Sequence, residues 1–210
     1  MSGNVAVIFD LDGTLIDSAP DLRAALNRVL ATRGLPALSA DAVRRMIGDG
    51  AKALVERAFA AHGRPAEPID LADFLADYEA NSTVETVTYP GMEAVLAELR
   101  GRGHDLAVCT NKPAAATAII LGALGLQKYF AAVVGGDSTP YRKPDPRHLE
   151  GAMAALGAAK AVMIGDHEND MAAAKGLAVP SIFVTWGYGN AAGTYTAQQA
   201  AELPGIIAGL

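Results

Sequence analysis

Apolar residues in this chain fall into short unbroken runs, each ending at a polar residue or glycine. Val5-Ala6-Val7-Ile8-Phe9 stops at Asp10, Leu106-Ala107-Val108-Cys109 at Thr110, and Ala131-Ala132-Val133-Val134 at Gly135. Ala161-Val162-Met163-Ile164 stops at Gly165-Asp166, and Ile182-Phe183-Val184 at Thr185. Continuous rather than alternating apolar character predicts strands buried on both faces. Helix-spaced segments separate most of them, such as the stripe Val95, Leu96, Leu99 and the stretch Asp170 to Lys175 stopped by Gly176. Strands alternating with helices predict an α/β fold, a doubly wound parallel sheet.

The stretch from about Ala19 to Thr88 is different, with helical spacing and little strand character. Leu22, Leu26, Val29 and Leu30 share one helix face, with Ser18 as the expected N-cap and Pro20 in the first turn. Leu54, Val55 and Ala58 predict another helix, as do Leu71, Phe74, Leu75 and Tyr78. The reading is a small α-helical insert, residues 18–88, between the first and second strands of a Rossmann-like core made of residues 1–17 and 89–210. Tyr89-Pro90-Gly91 marks the return, and there are no repeats or low-complexity linkers.

Composition narrows the function classes. Of 210 residues, 51% are apolar and 19% charged, which supports a sizeable core and argues against disorder. A formal charge of −6 repels nucleic acid and anionic membranes. The single cysteine, Cys109, allows no internal disulfide and no cysteine-based zinc site, which fits a reducing compartment. Met1-Ser2-Gly3-Asn4 lacks the positive start of a signal peptide, and the weakly polar stretch 114–126 is too short to span a bilayer. The expectation is a cytoplasmic protein, monomer or homodimer, without nucleic-acid or membrane partners.

Ligands of open α/β sheets bind beyond the carboxyl ends of the strands. Asp10, Thr110 and Asp166 all stand there, 100 and then 56 residues apart in sequence. The insert leaves from the same edge and is placed to close over it. Four segments concentrate chemistry at this edge. Phe9-Asp10-Leu11-Asp12-Gly13-Thr14-Leu15 puts two carboxylates after a buried strand. Gly165-Asp166-His167-Glu168-Asn169-Asp170 puts two more where a helix begins. Arg142-Lys143-Pro144 follows the third strand, with Pro144 suited to the first turn of the next helix. Thr110-Asn111-Lys112-Pro113 offers a hydroxyl and backbone amides that suit phosphoryl oxygens. Each segment alone also reads as ordinary structure: an Asx turn, a helix cap, a solvated lysine. Together they gather four carboxylates. Two like charges about 4 Å apart repel by roughly 4 kcal/mol at an effective dielectric near 20, so a cation is expected between them. Oxygen-only ligands select a hard ion, and Mg²⁺ fits a phosphate site.

In this order and on these strand ends, the four segments resemble the haloacid dehalogenase superfamily along nearly the whole chain, with the insert in the place of its cap. The resemblance implies Asp10 as nucleophile, Asp12 as general acid/base, Thr110 as phosphoryl ligand and Lys143 as the charge stabiliser. It implies Mg²⁺ held by Asp10, the Asp12 backbone carbonyl and Asp166, with Asp170 supporting the metal through water or orienting Lys143. The second aspartate weighs against a dehalogenase. As the acid for an alkoxide leaving group, Asp12 must be protonated first, which crowding by other carboxylates would favour.

Longer stretches resemble phosphoglycolate phosphatases: Ile47-Gly48-Asp49-Gly50-Ala51 through Glu56-Arg57-Ala58, Tyr89-Pro90-Gly91, Thr110-Asn111-Lys112-Pro113, Gly135-Gly136-Asp137 and Lys143-Pro144. The implied substrate is a small phosphorylated metabolite, foremost 2-phosphoglycolate, bound by Thr110, Asn111, Lys143 and the insert residues Gly48, Asp49 and Gly50. Asp49 departs from the asparagine usual in that family. Its charge would oppose a carboxylated substrate unless Arg45 or Lys52 offsets it. Another small phosphomonoester, a phosphomutase using the same aspartyl intermediate, and a binding module without catalysis are the alternatives.

Other residues carry less. Cys109 is expected in the core, His167 at a helix start, and His62, His104 and His148 on the surface. Trp186 and Tyr188, with Gly187 and Gly189, either line the pocket or pack a loop.

Overall fold

A computed structural model describes residues 5–210. Met1–Asn4, with the signal-peptide reading made on them, lie outside the described residues. Strand β1 (Ala6–Phe9) is followed by β2 (Ile16–Asp17) and four helices, α1 (Ala19–Thr32), α2 (Ala40–Arg44), α3 (Gly50–Ala60) and α4 (Pro68–Asn81). The chain returns through β3 (Val87–Thr88) and α5 (Met92–Gly101) to β4 (Leu106–Cys109) and α6 (Ala114–Ala123). Next come β5 (Ala132–Val134), α7 (Pro146–Ala155), β6 (Ala161–Gly165) and α8 (Glu168–Gly176), then β7 (Ser181–Val184), β8 (Tyr195–Ala197) and α9 (Leu203–Ala208).

Six strands form one parallel sheet in the order β5-β4-β1-β6-β7-β8. This is the expected α/β core. The order reverses at β1, whose Phe9 pairs with Val108 on one side and Ile164 on the other. Asp10, Thr110 and Asp166 therefore leave the sheet side by side, at the topological switch point.

The continuous apolar runs conceal a period of two. Val7, Phe9, Leu106, Val108, Val162 and Ile164 face one core, while Ala6, Ile8, Ala107, Cys109, Ala161 and Met163 face another. Burying a side chain such as Phe9 or Ile164 contributes roughly 1.5–3 kcal/mol, so both sheet faces contribute to stability. The first core extends into the insert through Leu22, Leu26, Leu54, Phe59, Phe74 and Tyr78. The helix stripes are thus buried as expected, although Leu71 and Leu75 are only partly covered.

Three local expectations are corrected. The insert hangs on an antiparallel pair, β2 with β3, joining Ile16 to Thr88 and Asp17 to Val87. These two-residue strands and β8 are too short to show a period. Ser18 holds the cap position of α1 but makes no side-chain cap; its hydroxyl donates to Asp12 instead. Asp21 binds the returning chain, accepting from the Thr86 amide at 2.9 Å and the Thr86 hydroxyl at 2.7 Å. Pro144 precedes α7, whose cap is Asp145 and whose first turn holds Pro146. No helix among the described residues is long and apolar enough to cross a membrane.

Candidate active site

Asp10 follows β1 with its backbone amide still in the ladder, donating to Ile164 O at 2.9 Å. Its side chain is 12% exposed. Oδ1 accepts from Lys143 Nζ at 2.8 Å, whereas Oδ2 accepts no hydrogen bond from any described residue. Lys143 is almost wholly buried and also donates to Asp170 Oδ1 at 2.6 Å and to the Cys109 carbonyl at 2.5 Å. Burial works against its charge, but Asp10 and Asp170 outweigh it and hold the ammonium protonated well above the usual lysine range.

Asp166 and Asp170 approach from the start of α8. Asp166 accepts from Thr14 Oγ1 at 3.2 Å, Tyr188 N at 2.7 Å and Gly189 N at 3.2 Å. Gly13, at φ +82°, lies so close that a β-carbon there would overlap the Asp166 carboxylate. Burial, then the charge of Asp10, pushes Asp166 up to about 6. Asp170 closes a capping box on His167 and is pushed up to about 7, again chiefly by burial and against the pull of Lys143.

One oxygen from each of Asp10, Asp166 and Asp170 lies within 4.8 Å of the others. Ionised, the three carry two more negative charges than Lys143 offsets. An all-oxygen donor set with that excess fits a hard divalent cation. The expected fourth carboxylate is absent from the cluster. Asp12 turns away to Lys112, whose Nζ stands 2.9 and 3.1 Å from its two oxygens, and to the Ser18 hydroxyl. The group expected to be crowded by anions faces an ammonium.

The strand-end loops complete the site. Thr110 is buried, and its Oγ1 accepts from Lys112 N at 3.2 Å. The Asn111 side chain is fully engaged. Its Nδ2 donates to Gly48 O at 3.0 Å and Lys143 O at 2.8 Å, and its Oδ1 accepts from Lys143 N at 2.9 Å. It therefore brackets the insert to the Lys143 loop. Gly48, at φ +126°, lets the insert approach the core, since a β-carbon would sit 2.8 Å from the His167 ring.

Asp10, Asp12, Thr110, Asn111 and Asp166 line one cavity with Gly48, Gly50 and Tyr78 of the insert. Asp49, expected against the substrate, is not among the residues that line it. Its Oδ1 accepts from Asn169 Nδ2 at 2.6 Å and its Oδ2 pairs with Arg57. Burial opposes its ionisation, but Asn169 and Arg57 hold the carboxyl below its usual range. The offsetting cation is neither Arg45 nor Lys52, the latter pairing with Glu56.

Cys109 is buried as expected, and burial pushes its thiol up to about 12, which makes it inert. His167 caps α8 as expected. His148 is not on the surface: it is fully buried under the site, with Nε2 donating to Thr110 O at 3.1 Å. Tyr188 both lines the cavity and clasps the insert's neck, its hydroxyl donating to Asp17 Oδ1 at 2.7 Å and accepting from Ser18 N at 2.8 Å. Sequence reasoning gave no separate role to Lys112, Thr14 or Asn169. A lysine two residues beyond a strand-end threonine is the pattern that marks the first of them.

A model of the haloacid dehalogenase-like hydrolase family matches residues 7–184. The chain is 45% identical over 188 residues to a phosphoglycolate phosphatase of Caulobacter vibrioides, covering 87% of this chain and 79% of that one. It is also 45% identical over 193 residues to a phosphoglycolate phosphatase of Rhodospirillum rubrum, covering 87% and 80%. It superposes on the crystal structure of a predicted phosphoglycolate phosphatase from Haemophilus somnus with a TM-score of 0.89 at 29% identity, covering 98% and 99%. With its acidic strand-end segments on this sheet, the chain belongs to the haloacid dehalogenase-like hydrolase family, as a phosphatase.

Proposed function

We propose that this enzyme hydrolyses 2-phosphoglycolate, with Mg²⁺ as cofactor and a phosphoryl-aspartate on Asp10 as intermediate. The observation that carries the reading is the asymmetry of Asp10. One oxygen is pinned by Lys143 and the other accepts no hydrogen bond from any described residue, at the wall of a cavity. A pinned, partly accessible carboxylate is a positioned nucleophile.

An Asp10 oxygen attacks phosphorus, and the ester P–O bond breaks. Lys143 holds positive charge beside the reacting centre throughout, and the Thr110 hydroxyl binds a phosphoryl oxygen. Asp12 protonates the departing alkoxide. Ionised, it then takes a proton from the water that attacks phosphorus, and the bond to Asp10 breaks to release phosphate. The Asp12 carboxyl accepts from both Lys112 and Ser18, which orient it at the cavity wall. Mg²⁺, held by Asp10, Asp166 and the Asp12 carbonyl with Asp170 alongside, would neutralise charge on the transferring phosphoryl group.

In this reading, residues 1–17 and 89–210 are the catalytic core and 18–88 a cap. Gly48 and Gly50 bring the cap to the substrate, while Asn111 ties it to Lys143. The substrate assignment draws on the two relatives named phosphoglycolate phosphatase. The single cysteine, Cys109, buried and without a disulfide, suits a cytoplasmic setting.

The test is phosphate release from a panel of small phosphorylated metabolites with Mg²⁺. A tenfold preference for 2-phosphoglycolate is expected. Better turnover of another ester overturns the substrate assignment, and wild-type turnover by Asp10→Asn overturns the covalent route.

A further inference from the structure

Lys112 is the one lysine or arginine among the described residues that line the cavity. It is 5% exposed, and its ammonium lies against both Asp12 oxygens and 4.5 Å from the centre of the Tyr78 ring. An ammonium has three donors, of which Asp12 takes up two. Tyr78 lines the same cavity and is 2% exposed, and its hydroxyl, which interacts electrostatically with the Lys112 ammonium, has no hydrogen-bond partner within 3.5 Å among the described residues. An unpaired buried hydroxyl is costly and marks a place where a partner is missing. Burial, foremost, pushes this phenol up to about 12, so it remains a donor at neutral pH.

Resting on the substrate reading above, we infer that Lys112 and Tyr78 form the subsite that receives the substrate's carboxylate and so set specificity for small phosphorylated acids. The leaving oxygen must come within about 2.6–3.2 Å of Asp12 to take its proton. In a 2-oxyacetate, one carbon separates that oxygen from the carboxylate. A leaving group held on Asp12 therefore places its carboxylate beside the ammonium that already touches Asp12. The charge fits as well. Lys143 and the three clustered aspartates belong to the phosphoryl end, and Lys112 supplies a single positive charge at the other. Leu22, Phe74 and Leu75 also line the cavity, and no second lysine or arginine among the described residues does. Asp49, the anion that would oppose a carboxylate, is turned onto Arg57 outside the cavity.

The test compares kcat/KM for 2-phosphoglycolate and for ethyl phosphate, a neutral-tailed ester of similar size. Lys112→Met is expected to lower the ratio of the two by at least about tenfold, and Tyr78→Phe by about threefold. Using the ratio within one protein cancels any loss of folded enzyme. Tyr78→Phe removes a hydroxyl with no hydrogen-bond partner within 3.5 Å among the described residues, so it is expected to fold even if the lysine variant does not. Equal losses on both esters, or an unchanged ratio in Tyr78→Phe, overturn the subsite. In the wild-type enzyme, glycolate is expected to inhibit at least about tenfold better than glycolamide, and equal inhibition also overturns it. Failure of the substrate reading is separately visible, as wild-type enzyme that turns over ethyl phosphate but not 2-phosphoglycolate.

Discussion

Lys143 Nζ donates to Asp10 Oδ1 across 2.8 Å, although 133 residues separate the two in sequence. Removing the lysine leaves Asp10 and the wholly buried Asp170 without their cation. Lys143→Met is expected to destabilise the protein by about 3–5 kcal/mol, the usual consequence of breaking a buried pair from one side. Urea unfolding measures this, and adding Asp170→Asn to the variant should recover part of the loss.

Asp10→Asn keeps the shape of the residue and removes one negative charge from the cluster. Phosphate release is expected to fall by about 10⁴-fold or more, as for loss of other covalent nucleophiles. Its thermal midpoint without metal should be no lower than wild type, because the charge beside Asp166 is gone. Paired activity and melting measurements separate chemistry from folding.

The Asp10, Asp166 and Asp170 oxygens predict metal-linked stability. At 100 times its dissociation constant, Mg²⁺ should stabilise the fold by about 2.7 kcal/mol. Asp166→Asn should reduce Mg²⁺ affinity at least about tenfold in calorimetry and cut the stabilisation at the same Mg²⁺ concentration to about 1.4 kcal/mol or less. An undiminished stabilisation in that variant would place the ion elsewhere.

His148 predicts a pH dependence. Burial, with Lys143 and Arg142 nearby, lowers its pKa, against the Thr110 carbonyl that favours the charged ring. The unfolded chain therefore binds more protons below about pH 6.5. The contribution to stability is present above that pH and is lost as pH falls through the folded value. Denaturant unfolding at pH 7.5 and 5.5 should show a smaller loss for His148→Gln than for wild type.

Asn111 satisfies the Gly48 carbonyl and both backbone groups of Lys143. Asn111→Ala leaves both backbone groups of Lys143 unpaired and the Gly48 carbonyl with only the 3.4 Å bond from Asn169 Nδ2, and a destabilisation of about 1–3 kcal/mol is expected. If the bracket also positions residues 18–88 over the substrate, KM for 2-phosphoglycolate rises in steady-state assays.

The core was legible where runs were long enough to show a period. The apolar stretches ending at Asp10, Thr110 and Asp166 became β1, β4 and β6 within a residue of their expected limits. The pair β2 and β3 was not, because two residues carry no periodicity, and neither was the burial of His148, which depends on α7 packing beneath Thr110. Asp49 and Asp12 illustrate a different boundary. Both were visible as charges near the site, but a charge's partner is set by direction in space. Arg57 claims one and Lys112 the other.

The order of the segments by itself determined the family, the parallel sheet and the convergence of Asp10 and Asp166 on one edge, because a strand end after a buried run is a local property of the chain. Tertiary structure decided which carboxylates cluster and which pair with an ammonium. Three aspartates meet around one point and the fourth is drawn away. Electrostatic energy depends on separations of a few ångströms between groups that loops of any length deliver, and spacing along the chain does not record those separations.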